Sequence, residues 1–173
     1  MAYALNDFCT DLNVLLKTKG TDGIPEIVQN LKALLANPDF VAETFNENTW
    51  KGKRTLYHDA DSDAYVFANV HHPGKRGKPH SHGESWAIYG NAKGYTLMTE
   101  WERVNDEAAD HVALKQIAHY RLGTGDAHAY GPGVIHSTEH PEKAWVIRIT
   151  GTNLNELPRY HFNPEKDLIL ENS

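Results

Sequence analysis

From Trp50 onward the chain is a succession of short alternating apolar runs broken by Gly, Pro, Asp and Asn, with no helical stretch between them. Residues 65–71, 86–89, 95–101, 114–122 and 145–150 read as strands. Residues 73–79, 90–94, 105–110 and 123–126 read as the turns and loops between them. Seven or so short strands in this pattern confine the segment to a sandwich or barrel of packed sheets. Residues 4–45 read differently. Leu5, Phe8, Cys9, Leu12, Leu15 and Leu16 recur at helix-face spacing, and Ile24, Ile27, Val28, Leu31, Leu34 and Leu35 repeat it. Pro25 falls in a tolerated first turn, and Asn37-Pro38 stops that helix and caps a short third one through Phe45. The expected organisation is one structural domain: a helical segment (1–49) packed outside a barrel with a C-terminal segment (50–173).

Composition narrows the function. Seventeen basic against 23 acidic residues give a net charge of −6, opposite to the field a nucleic-acid binder needs. No apolar run approaches the roughly 18 residues of a membrane span. The first residues lack the basic and apolar regions of a signal peptide, so a cytoplasmic location is expected. Cys9 is the single cysteine and lies on an apolar helix face, which leaves neither an internal disulfide nor a zinc ribbon. Histidine, with 11 copies, outnumbers Tyr and Phe. A metal site in this chain has to be built from imidazole and carboxylate.

Two stretches supply such a site. Pro79-His80-Ser81-His82 enters a strand from a glycine-bearing turn, and alternation places His80 and His82 on one face. Downstream, Tyr130-Gly131-Pro132-Gly133-Val134-Ile135-His136 offers a third imidazole after a Pro-Gly turn. These two stretches resemble the two motifs of the cupin superfamily over roughly residues 50–163. That resemblance implies a mainly β fold: a cupin jelly-roll barrel (double-stranded β-helix), with the helical segment packed outside. Within that superfamily the chain is most similar to the cysteine dioxygenase and 3-mercaptopropionate dioxygenase group, including the segment from Ile147 to Pro164. The resemblance implies that His80, His82 and His136 bind Fe(II); Zn, Mn, Ni or Cu would accept the same ligands.

The chain also departs from that group. The Ser-x-His-x-Tyr row of the last barrel strand falls on Val146, Arg148 and Thr150, so the relay is absent, and no second cysteine exists. An inward Arg148 reads either as a seat for a substrate carboxylate or as a structural ion pair with Glu100 or Glu84. Arg159 matches the arginine by which the mercaptopropionate enzymes hold their substrate, or it ties down the C-terminal segment. Arg54 is a weaker third candidate. Glu84 and Glu100 stand as surface charges or as an added ligand. His128 and His140 read as partners of the third ligand, His71 and His72 as rim residues, and His58, His111, His119 and His161 as ordinary surface histidines. The resemblance implies a mononuclear non-haem dioxygenase taking a small anionic substrate and O2, thiol dioxygenase-like. The alternatives are three-histidine cleavage of a diketone or hydroxyketone, and an O2-independent lyase or isomerase. Neither nucleic acid nor membrane is an expected partner, and a homodimer is left open.

Overall fold

A computed structural model describes residues 2–46, 52–106, 111–157, 160–163 and 168–171. Three helices come first: α1 (Leu5–Lys19), α2 (Ile24–Leu35) and α3 (Pro38–Thr44), with a 3-10 turn between α1 and α2. Asp7 accepts from the Ala4 backbone N–H at the start of α1. Asn37 accepts from the backbone N–H groups of Asp39 and Phe40 at the start of α3, the capping its sequence position predicts.

Among the described residues twelve strands follow: β1 (Lys53–His58), β2 (Tyr65–His71), β3 (Lys75–Arg76), β4 (His80–Ser81), β5 (Ala87–Lys93), β6 (Thr96–Arg103), β7 (Leu114–Leu122), β8 (Ala127–Tyr130), β9 (Ile135–His140), β10 (Ala144–Thr150), β11 (Tyr160–Asn163) and β12 (Leu168–Glu171). They form two sheets, one in the order β1-β2-β10-β5-β8 and one in the order β12-β11-β4-β9-β6-β7, with β3 paired to β9. Counting β2 and then β4 to β10 as strands one to eight, the sheets run 1-8-3-6 and 2-7-4-5. All these pairings are antiparallel. This is the strand order of a jelly roll, a double-stranded β-helix.

Alternation along the first sheet separates two cores. Val66, Ala68, Val70, Ile88, Ile147 and Ile149 face outward and pack with Phe8, Leu12, Ile27, Leu31 and Leu34 of the helices. Tyr89, Val146 and Ala144 face inward and meet Met98, Leu122 and Tyr130. The helices therefore cover the outer face of one sheet and leave the barrel interior to the inward row, which includes Arg148.

One turn expected from the sequence is not there. β5 continues through residues 90–93 and turns only at Gly94, whose φ is +68°. Gly90 sits mid-strand because α2 lies against it: a Cβ there would come within 2.8 Å of Leu31 Cδ2 and Leu35 Cδ1. A helix-packing glycine reads in sequence like a turn glycine. No described helix is long and apolar enough to cross a membrane.

Candidate metal centre and substrate cleft

One rung of the second sheet carries the chemistry. His161 pairs with His80, His80 with His136, and His136 with Glu100. Directly opposed residues project to the same face, so the rung sets two imidazoles side by side inside the barrel. His82 lies just beyond β4, where the Ser85 N–H bonds the His82 carbonyl in a turn. Gly83 in that turn accepts from the Gly133 N–H at 2.8 Å. Gly133, at φ +74°, belongs to the Pro-Gly turn that leads into His136. That hydrogen bond adds to the β4–β9 pairing in tying the two histidine-bearing segments together.

The result is a compact trio. The ring of His80 lies 5.1 Å from that of His82 and 4.6 Å from that of His136, and His82 lies 4.9 Å from His136. One ligand atom from each falls within 4.8 Å of the others. Backbone carbonyls fix the tautomers. His80 Nδ1 donates to Lys78 O at 3.0 Å and His136 Nδ1 to Val134 O at 3.2 Å, which turns each Nε2 lone pair toward the trio. His136 is fully buried, its Nε2 has no protein partner, and burial drives its pKa down to about 3, helped by His80 and Arg148. A neutral, buried nitrogen with a free lone pair is what a metal ligand must be. The donor set fits a divalent transition metal.

The carboxylates stand apart. Glu84 is exposed in the turn after His82 and lies outside the trio. Glu100, although on the rung, accepts from the Tyr120 hydroxyl at 2.7 Å. Tyr130 in turn donates to Tyr120 at 2.7 Å, and its ring stacks on His136 at 4.6 Å. Burial raises the pKa of both phenols above the ordinary tyrosine range. Glu100 thus anchors a tyrosine pair that braces the third imidazole. His128, exposed, sits 3.9 Å from Glu100.

Beside the trio opens a cleft of about 230 Å³. His80, His82, Tyr89, Arg148, Asn69 and His71 line it, with His140, His161, Lys75, Lys78, Gly77 and Thr138. No Asp or Glu is among them. Arg148 faces the interior with its guanidinium 5.4 Å from the Phe67 ring. Its Nε is buried without a partner, and no ion pair joins it to Glu84 or Glu100 among the described residues. Arg159 lies outside the described residues. Arg54 donates to the Thr44 carbonyl at 3.0 Å and fastens β1 to α3, away from the cleft.

Three cleft residues escape a reading from sequence. His71 is not a rim residue: it stacks on His140 at 4.0 Å and 5°, and burial pushes its pKa to about 3. His161, expected at the surface, lines the cleft with its ring 5.7 Å from His80. Tyr89 places its hydroxyl 3.5 Å from His82 Nε2. Only the parity of Tyr89 within β5, opposite that of Ile88, could have signalled it.

The comparisons with known proteins are distant. No family model matches the chain, and no curated protein does. Among solved structures, a Klebsiella pneumoniae protein with a double-stranded β-helix domain is 15% identical, over 70% of this chain and 88% of its own, with a TM-score of 0.45. A cupin superfamily protein from Desulfitobacterium hafniense is 12% identical, over 65% and 87%, at 0.45. A DMSP lyase from Ruegeria pomeroyi is 15% identical, over 66% of this chain and 52% of its own, at 0.47. The strand order of the two sheets, rather than these likenesses, establishes the jelly roll.

Proposed function

We propose that this chain is a metal-dependent enzyme that acts on a small anionic substrate, and that its reaction is a dioxygenation supported by Fe(II). The observation that carries the reading is the pairing of a three-imidazole trio with a half-buried arginine, whose Nε has no protein partner, on one small cleft. His80, His82 and His136 would hold the metal. Bound iron supplies electron exchange between substrate and dioxygen, and a redox-inert divalent ion supplies Lewis acidity.

The chain's own residues supply the rest. Arg148 draws in and orients an anion, since its half-buried charge has no ion-pair partner among the described residues. The cleft is smaller than the usual 300–1,000 Å³ of drug-sized sites, so the substrate is small. Tyr89 places a phenolic proton beside the trio, where it can be given to or taken from a reacting oxygen. Tyr130 and Tyr120 hold the His136 ring in place through Glu100.

Tyr89 also favours a second reading, an O2-independent lyase or isomerase in which the phenol is the acid–base group and the metal a Lewis acid. Oxygen uptake separates the two. Iron-loaded protein should consume O2 with an acidic thiol or an enolisable keto acid. Turnover of such substrates at an unchanged rate without O2 would establish the lyase reading.

A further inference from the structure

The cleft continues beyond the groups used so far. Inward residues of β2 run Phe67, Asn69, His71, opposite Arg148, Val146 and Ala144 of β10. Arg148 also pairs with Tyr89, beside the trio. The row therefore leads away from the imidazoles toward His71, about 13 Å of strand from Phe67. Small side chains at Val146 and Ala144 leave room along it.

The row from Arg148 to His71 is built of donors. Asn69 Nδ2, His71 Nδ1 and Arg148 Nε are all buried without partners, three of the five such atoms among the described residues. Lys75, the register partner of His140, adds positive charge near His71, and no lining residue is acidic. Thr96 locks the far wall. Its single hydroxyl proton goes to Asn91 Oδ1 at 3.1 Å, so at 3.3 Å it accepts from His140 Nδ1–H. The fixed His140 ring then holds His71 by face-to-face stacking.

We propose that this row is a carboxylate subsite in which Asn69 Nδ2, His71 Nδ1 and Arg148 Nε hold the oxygens of one substrate carboxylate. The subsite rests on the proposed reading for its place in a substrate site, and it assigns that substrate to carboxylic acids. In the tautomer protonated at Nδ1, a neutral His71 would donate to an anion that has no proton to give. A cationic substrate end would meet Arg148 and Lys75 and be repelled.

Calorimetric titration of the full chain with malonate tests this, after chelation so that malonate cannot bind through a metal. Wild-type protein should bind, with Asn69→Leu, His71→Phe and Arg148→Met each at least tenfold weaker. His71→Asn, which returns an N–H near the lost Nδ1, should recover part of the loss. Arg54→Gln, at an arginine away from the cleft, should bind as wild type does. In the wild type, nitrogen resonances of His71 should move on titration, a readout that needs no folded variant. Binding unaffected by His71→Phe and Asn69→Leu, or abolished by Arg54→Gln, would place the anion elsewhere and overturn the subsite. So would tighter binding of inorganic phosphate than of malonate. Malonate bound at His71 in a protein that never retains metal would keep the subsite and remove only the metal reading.

Discussion

The Tyr89 hydroxyl lies 3.5 Å from His82 Nε2, and Tyr89 is the register partner of Arg148 across β5 and β10. A phenol and a guanidinium thus stand side by side at the edge of the imidazole trio. The last barrel strand carries no phenol of its own, because Val146, Arg148 and Thr150 occupy its inward positions. Val146 is buried in the inner core, and the Thr150 hydroxyl is committed to the Thr152 carbonyl. The neighbouring strand supplies the phenol instead.

Tyr89→Phe should therefore keep the metal and lose turnover, by about 10²- to 10⁴-fold if the phenol transfers a proton. Metal analysis beside steady-state kinetics checks both halves. Loss of metal in step with turnover would make the phenol a support of the trio instead.

Arg148→Lys should raise the apparent substrate constant by roughly tenfold or more, as expected for a lost hydrogen bond to a charged group, about 1–3 kcal/mol. Arg148→Met should fold at least as stably as wild type, because it removes a half-buried charge that has no ion-pair partner among the described residues. A large loss of stability in the Met variant, read by urea denaturation, would assign Arg148 to structure.

Acid should weaken the metal-free fold. Burial lowers the pKa of His71 and His136 from 6.5 to about 3, and that of His140 to about 4. Between those values and 6.5 the unfolded chain takes up protons that the folded chain refuses. Stability is thus fully present above about pH 7.5 and falls as pH drops through 6.5 toward 4. A loss of up to about 6 kcal/mol between pH 7.5 and 5, about 2 for each of the three histidines, is expected from urea titrations. Replacing His71 and His140 together by Phe and Gln should flatten that dependence.

Gly90→Ala should destabilise the protein by about 1–3 kcal/mol, since the added methyl drives into Leu31 and Leu35 of α2. Gly125→Ala, also at a glycine but with no neighbour within 4 Å, isolates the conformational part: its φ of +85° is strained for alanine while no packing is disturbed.

The elements legible in the sequence were those with strong local signals. The helical periodicity of Leu31 and Leu34, the Asn37 cap and the alternation of residues 65–71 all act within a few residues. Gly90 misread as a turn because its cause is a helix more than fifty positions earlier. His71 read as a rim residue because its partner, His140, arrives only when β3 and β9 pair. The role of Glu100 was hidden for the same reason: the phenol that claims it, Tyr120, sits on the next strand. The parity of Arg148 was local and placed it inside the barrel, but the absence of an acidic partner is a property of the assembled cleft.

The central claim is that His80, His82 and His136 hold one metal ion in common. Elemental analysis of purified wild-type protein and of His136→Ala, each after dialysis against Fe(II), tests it directly. The account predicts about one metal per wild-type chain and little in the variant, since a trio loses one of its three anchors while the Tyr130–Tyr120–Glu100 brace stays folded. Stoichiometric metal in His136→Ala, or none in the wild type, would contradict it.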